Sequence, residues 1–122
     1  MGNRRALVGI HLPAIAGLYQ EVLGQAGYDV SVTDDLQEML RLVEESEYDK
    51  YIMDLNLGVV AGQDISPARD VCAIISGRDE GGLTKFLGVS SASNVVAAAE
   101  REGIPAADKN DISRVFAFLQ GE

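Results

Sequence analysis

The stretch Tyr51-Ile-Met-Asp-Leu-Asn-Leu-Gly-Val-Val-Ala-Gly62 decides how the rest of the chain is read. It opens on an apolar run, Tyr51 to Met53, steps directly onto a carboxylate, Asp54, and then becomes a glycine-containing loop from Leu55 to Gly62. A short unbroken apolar run is the pattern of a strand covered on both faces. A charge at the end of such a strand costs free energy unless it has a partner or a task. Spacing alone leaves two readings of Asp54 open: a carboxylate that caps a loop or helix, or a reactive one.

Working outward, the same alternation repeats. Ala6 to Ile10 is a near-continuous apolar run, and Pro13 to Ala26 follows with Ile15, Leu18, Val22 and Leu23 on one helical stripe, closed by Gly27. Tyr28 to Thr33 alternates, with Asp29, Ser31 and Thr33 expected on a wet face and Tyr28, Val30 and Val32 on a dry one, as in an edge strand. Asp35 with Glu38 three residues on predicts a helix start, and Leu36, Met39, Leu40 and Val43 continue as a second stripe. Beyond the central stretch, Pro67 opens a third helix to about Ile75, and Ser76 to Thr84 reads as a glycine-rich loop. Phe86 to Val89 is a fourth strand, Asn94 to Glu102 a fourth helix stopped by Gly103, and Ile104 to Ala107 a fifth strand. Pro105 suits that strand to a sheet edge. Ile112, Val115, Phe116 and Leu119 mark a last helix ending near Gln120.

Five β-α units in strict alternation predict an α/β fold with a parallel sheet and helices on both faces. The polar second strand favours the flavodoxin-like order 2-1-3-4-5, in one domain spanning residues 1–122. In that winding, ligands sit where the strand order reverses, outside the ends of strands one and three. The residues there are Ile10, His11 and Leu12, and Asp54 to Asn56.

Composition narrows the classes. A chain of 122 residues that is 47% apolar makes one ordinary globular domain. A formal charge of −9 argues against a nucleic-acid backbone or an anionic membrane as a direct partner, because both repel an acidic surface. Solubility accounts for that charge, and a basic protein partner is compatible with it. A single cysteine, Cys72, allows no internal disulfide and no cysteine-based metal site. With no signal peptide or apolar span in the sequence, a cytoplasmic location is expected.

On these residues the chain resembles the receiver domains of response regulators, over essentially its whole length. The stretch 51–62 resembles the segment around the family's phosphoacceptor aspartate, with Gly62 at the spacing the family shows. Leu12-Pro-Ala-Ile15 and Ala26-Gly-Tyr28 resemble its first helix and exit. Phe86-Leu-Gly-Val-Ser-Ser91 resembles its fourth strand, which ends in Ser or Thr. Asp108-Lys-Asn110 resembles its fifth-strand end, which carries a lysine. The resemblance implies that Asp54 is the phosphoacceptor and that Ser90 (in another register Ser91) bonds the phosphoryl oxygen. It implies further that Lys109 pairs with that group, and that a sensor histidine kinase is the donor, in a two-component relay. The chain itself is then a signalling module and not an enzyme. No Ser, Cys or acid pair has a base placed beside it as a hydrolase would need.

The pattern also departs from the family. Two adjacent acids that help hold Mg²⁺ in the family are here Ile10 and His11. Mg²⁺ prefers oxygen ligands, so only Asp54 and the Asn56 backbone carbonyl are left, and weak or absent Mg²⁺ binding is expected. Gly58 stands where the family has proline, and Ala107 where it has the aromatic that turns inward on activation. His11, the only histidine, is expected to pair with Asp54, or less favourably to bind a softer ion such as Zn²⁺ or Ni²⁺. The alternative function is a degenerate pseudo-receiver, a protein-interaction module that works without phosphorylation. A flavin- or corrinoid-binding domain finds little support, because no phosphate-cradling loop follows the first strand and Gly9-Ile10-His11 only approaches the corrinoid Asp-x-His pattern. In relatives the face of the fourth helix, fifth strand and fifth helix forms dimers. Here it carries Ala97 to Ala99 with Glu100, Arg101 and Glu102, so a homodimer is compatible but not indicated.

Overall fold

The computed structural model describes residues 4–58, 64–78 and 82–121. Its elements run β1 (Arg4–Gly9), α1 (Pro13–Gln25), β2 (Tyr28–Thr33), α2 (Leu36–Glu45), β3 (Lys50–Asp54), α3 (Ser66–Arg78), β4 (Phe86–Ser90), α4 (Ser93–Arg101), β5 (Ala106–Asp108) and α5 (Ile112–Gln120). A 3₁₀ turn at Gly82–Lys85 precedes β4. All strand pairs are parallel and the order is β2-β1-β3-β4-β5, the winding expected from the alternation.

Successive side chains of a strand point to opposite faces, and the sheet builds two cores from that rule. Leu7, Tyr51, Met53 and Phe86 pack under α2, α3 and α4 with Met39, Val71, Ile75 and Val95. Ala6, Val8, Ile52, Leu87 and Val89 pack under α1 and α5 with Tyr19, Leu23, Val115 and Leu119. The central strands β1, β3 and β4 therefore read as continuous apolar runs, since neither face is wet.

Several local expectations shift. On α1 the buried side chains are Ala16, Tyr19, Val22 and Leu23, whereas Leu18 is 41% exposed. The stripe is rotated by one position because the long Tyr19 ring, not Leu18, reaches the sheet. On β2 the alternation inverts at its end: Val32 is exposed and Thr33 buried. Thr33 is held inward by its hydroxyl, which accepts from the Asp35 N–H (3.1 Å) at the start of α2. Asp35 itself caps α2, its carboxylate accepting from Glu38 N–H (3.1 Å), as the spacing implied.

The third helix continues through Ser76 and Gly77 to Arg78, so the expected loop begins later. Arg78 donates to the main-chain oxygens of Val43 and Glu44, tying the last turn of α3 to the end of α2. The fifth strand starts at Ala106, not Ile104. The Ile104 N–H closes the end of α4 on Ala99, and Pro105, with no N–H to give, contributes only its carbonyl, which accepts from Gly88. At the start of α5, Ile112 is 62% exposed and leaves the core to Val115 and Leu119. No described helix is long and apolar enough to cross a membrane.

Candidate functional site

The winding reverses between β1 and β3, and there the chain opens a cleft of about 500 Å³. It is lined by His11, Leu12, Asp54, Asn56, Leu57, Gly58 and Lys109. Register explains the convergence. Gly9 of β1 lies beside Met53, Asp54 of β3 beside Val89, and Ser90 of β4 beside Asp108. Asp54, Ser90 and Lys109 thus come from the carboxyl ends of three neighbouring strands, although up to 55 positions separate them in sequence.

Asp54 is 4% exposed, and the chain itself meets both of its oxygens. Oδ2 accepts a hydrogen bond from the main-chain N–H of His11 at 2.8 Å. Oδ1 lies 2.5 Å from Lys109 Nζ. That oxygen is sealed from solvent and accepts no hydrogen bond among the described residues, so the ammonium serves as its counter-charge, off hydrogen-bonding direction. Lys109 is fixed in turn by its own N–H, which donates to Ser90 O at 2.9 Å. The expected link between the ends of β1 and β3 therefore exists, but the His11 backbone makes it. The imidazole is on an exposed residue, and the cation that faces Asp54 is Lys109.

Ser90 is 7% exposed, and its hydroxyl oxygen accepts from the Ala92 N–H (3.1 Å) at the start of α4. Ser91 is exposed, so of the two registers Ser90 is the one turned into the molecule. Asn56 is half-buried on the cleft wall. Gly58 takes φ +78°, a left-handed conformation that glycine reaches without strain and proline cannot adopt. Gly62 lies outside the described residues. Glu102, on the face considered for dimers, is engaged within the chain by a two-pronged pair with Arg69 at 2.8 Å per contact.

Few oxygen donors of the kind a divalent ion prefers face this cleft: the Asp54 carboxylate and Asn56 line it, whereas Ile10 is 1% exposed and packs in the core under α1 and α5. Among the described residues no three His, Cys, Asp or Glu side chains group to hold a metal.

Nothing in the sequence singles out Tyr19, because the helical stripe read there runs through Leu18 and leaves this ring outside it. It is 3% exposed, and burial together with the negative charge of Asp54 pushes its phenol up to about 12. The neutral phenol is favoured in the fold, so its contribution to stability is complete below pH ~10, where a free tyrosine ionises. It is lost as pH rises from there toward the folded value. Absorbance of phenolate is expected to show one tyrosine titrating late, and Tyr19→Phe to remove that step. An unchanged titration curve in the variant would refute the assignment.

No family model matches the chain, and no curated protein sequence does. Solved structures do. The receiver domain of a sensor histidine kinase from Pseudomonas aeruginosa, with Mg²⁺ in its active-site cleft, is 18% identical, with TM-score 0.63 over 99% of this chain and 100% of that one. A response regulator from Burkholderia pseudomallei with a phosphorylated aspartate and a calcium ion is 21% identical, with TM-score 0.71 over 96% and 66%. A streptococcal redox sensor described as evolved from two-component response regulators is 17% identical, with TM-score 0.68 over 97% and 52%. The chain has the receiver-domain fold of the response regulators, with Ile10 and His11 directly following the first strand.

Proposed function

We propose that this chain is a pseudo-receiver: a receiver-fold signalling module that engages a protein partner without phosphorylation of Asp54. One observation carries the reading. Both Asp54 oxygens are met by the chain's own Lys109 ammonium and His11 amide, and Ile10 fills the position of a metal ligand with buried hydrocarbon. An incoming phosphoryl group would have to displace Lys109 and then develop negative charge with no divalent ion beside it. The whole chain acts as one domain in the cytoplasm, and its charge of −9 directs it to proteins and away from nucleic acid and membranes. Cys72 supports no redox role: it is buried, and burial pushes its thiol up to about 12, leaving no thiolate to react near neutrality.

A second reading keeps the relay. Asp54, Ser90 and Lys109 do converge, with Asp54 as phosphoacceptor, a sensor histidine kinase as donor and weakly held Mg²⁺ on Asp54 and the Asn56 carbonyl. Acetyl phosphate or beryllofluoride with millimolar Mg²⁺ separates the two. The pseudo-receiver is expected to show neither an added phosphoryl mass nor a Mg²⁺-dependent change in NMR spectrum or melting temperature. A variant with Ile10→Asp and His11→Asp is expected to gain the Mg²⁺ response. Labile phosphate on the unaltered chain, absent from Asp54→Ala, would establish the relay instead.

A further inference from the structure

Four polar side chains are buried among the described residues: Thr33, Lys50, Asp54 and Ser90. Three of them end strands, Thr33 in β2, Asp54 in β3 and Ser90 in β4, and Asp54 lines the cleft. Lys50 is at the opposite end of β3 and has no part in that site.

The surroundings of Lys50 are specific. Its ammonium donates to the main-chain oxygens of Phe118 and Gly121, at the end of α5. It also lies 5.3 Å from the ring centre of Tyr28 and 5.1 Å from that of Phe118. The last carbonyls of a helix have no partners within it and mark the negative end of its dipole, so a cation held there by two carbonyls and two ring faces is a helix clamp. Burial and the neighbouring Arg4 lower the pKa of Lys50, consistent with an enclosed ammonium.

Lys50 and Asp54 are four residues apart in one strand, so both project to the face covered by α1 and α5, with Ile52 of that core between them. Four strand steps span about 13 Å. The nine residues of α5 also span about 13 Å at 1.5 Å each. The strand segment and the helix therefore match in length. At one end Asp54 holds Lys109, three residues before α5 begins; at the other Lys50 holds the carbonyls where α5 ends.

We infer that β3 clamps α5 at both ends, and that breaking the Asp54–Lys109 contact frees the leading end of α5 while the Lys50 end stays fixed as a pivot. The helix α5 is then the element that reports the state of Asp54. Ala107 offers no ring to turn inward, and the pivot replaces that readout with a helix hinged at its far end. The inference concerns the regulation of the proposed site. It holds whichever event breaks the contact, so its failure and that of the pseudo-receiver reading are separate outcomes.

Amide hydrogen exchange of the full chain tests it, with no phosphodonor present. In Asp54→Asn, exchange at Val115, whose N–H bonds to Asp111 O, is expected to rise on the order of tenfold, while Leu119 and Gly121 stay within about twofold of wild type. In Lys50→Met the gradient is expected to reverse, with Leu119 and Gly121 losing protection and Val115 keeping it. If Lys50→Met does not fold, Lys50→Gln, which retains one donor group, is expected to show the same reversal at smaller amplitude. A uniform rise along α5 in Asp54→Asn, or unchanged Gly121 exchange in the folded Lys50 variant, overturns the clamp.

Discussion

Replacing Lys109 with methionine is expected to lower stability by about 3 kcal/mol, near the lower end of what breaking a buried ion pair costs. The mechanism is the charge left behind. Asp54 is 4% exposed, and its Oδ1 would keep neither a hydrogen bond nor a counter-charge. Lys109 itself retains some contact with solvent, its side chain being 17% exposed, which keeps the effect from the upper end of the range. Asp54→Asn should behave differently. It removes the buried charge, keeps an acceptor for the His11 amide, and releases an ammonium that can turn to water, so a loss of under about 1 kcal/mol is expected. Adding Asp54→Asn to Lys109→Met should then recover most of the stability, because no uncompensated carboxylate remains. Urea denaturation of the four proteins closes the cycle. Equal losses in the two single variants, or additive losses in the double one, would show that the pair is not the internal neutralising device described here.

The second large effect lies one strand away. A Cβ on Gly88 would fall 2.2 Å from Leu55 Cδ2 and 2.9 Å from its Cγ. Leu55 is completely buried and follows Asp54 directly, with its N–H fixed to Val89 O at 2.9 Å, so it cannot step aside without moving the end of β3. Gly88→Ala is accordingly expected to cost about 2 kcal/mol through overpacking, and Gly88→Val more. Gly9→Ala is the control. Its nearest neighbour is the sulfur of Met39 at 2.7 Å, the adaptable end of a flexible side chain, and a loss below about 1 kcal/mol is expected. Shortening Leu55 to alanine in the Gly88→Ala background should return part of the loss, since the two changes share one volume. Equal effects at Gly9 and Gly88 in thermal or urea unfolding would rule out this account.

The two sites differ in how visible they were beforehand. Asp54 announced itself, because a carboxylate at the end of the run Tyr51 to Met53 contradicts burial unless something holds it. Lys50, at the head of the same strand, gave no such signal. A lysine before an apolar run reads as a solvated strand start, and the carbonyls it binds lie 68 and 71 residues further along. Gly88 reads as a weak point in a strand, and only the position of the Leu55 side chain shows why an added Cβ would crowd it. Tyr19 and Leu18 are adjacent on a helix whose apolar stripe is wide enough to fit either, so which of them faced the sheet was a matter of packing.

The sequence by itself determined the alternation of strands and helices, and it favoured the winding that brings residues 10–12 and Asp54 to Asn56 to one end of the sheet; Ser90 and Lys109 were added there only by the family resemblance. The alternation follows from periodicity, and period two or 3.6 is written locally in residue order. The tertiary structure alone decided which atoms meet there. The His11 backbone, not its ring, bonds Asp54; Lys109 supplies the cation; and Ile10 turns into the core. Such choices depend on register between strands far apart in sequence and on the direction in which each side chain leaves a strand end. No local pattern encodes either, because a bond between two strand ends is fixed only when both strands lie side by side.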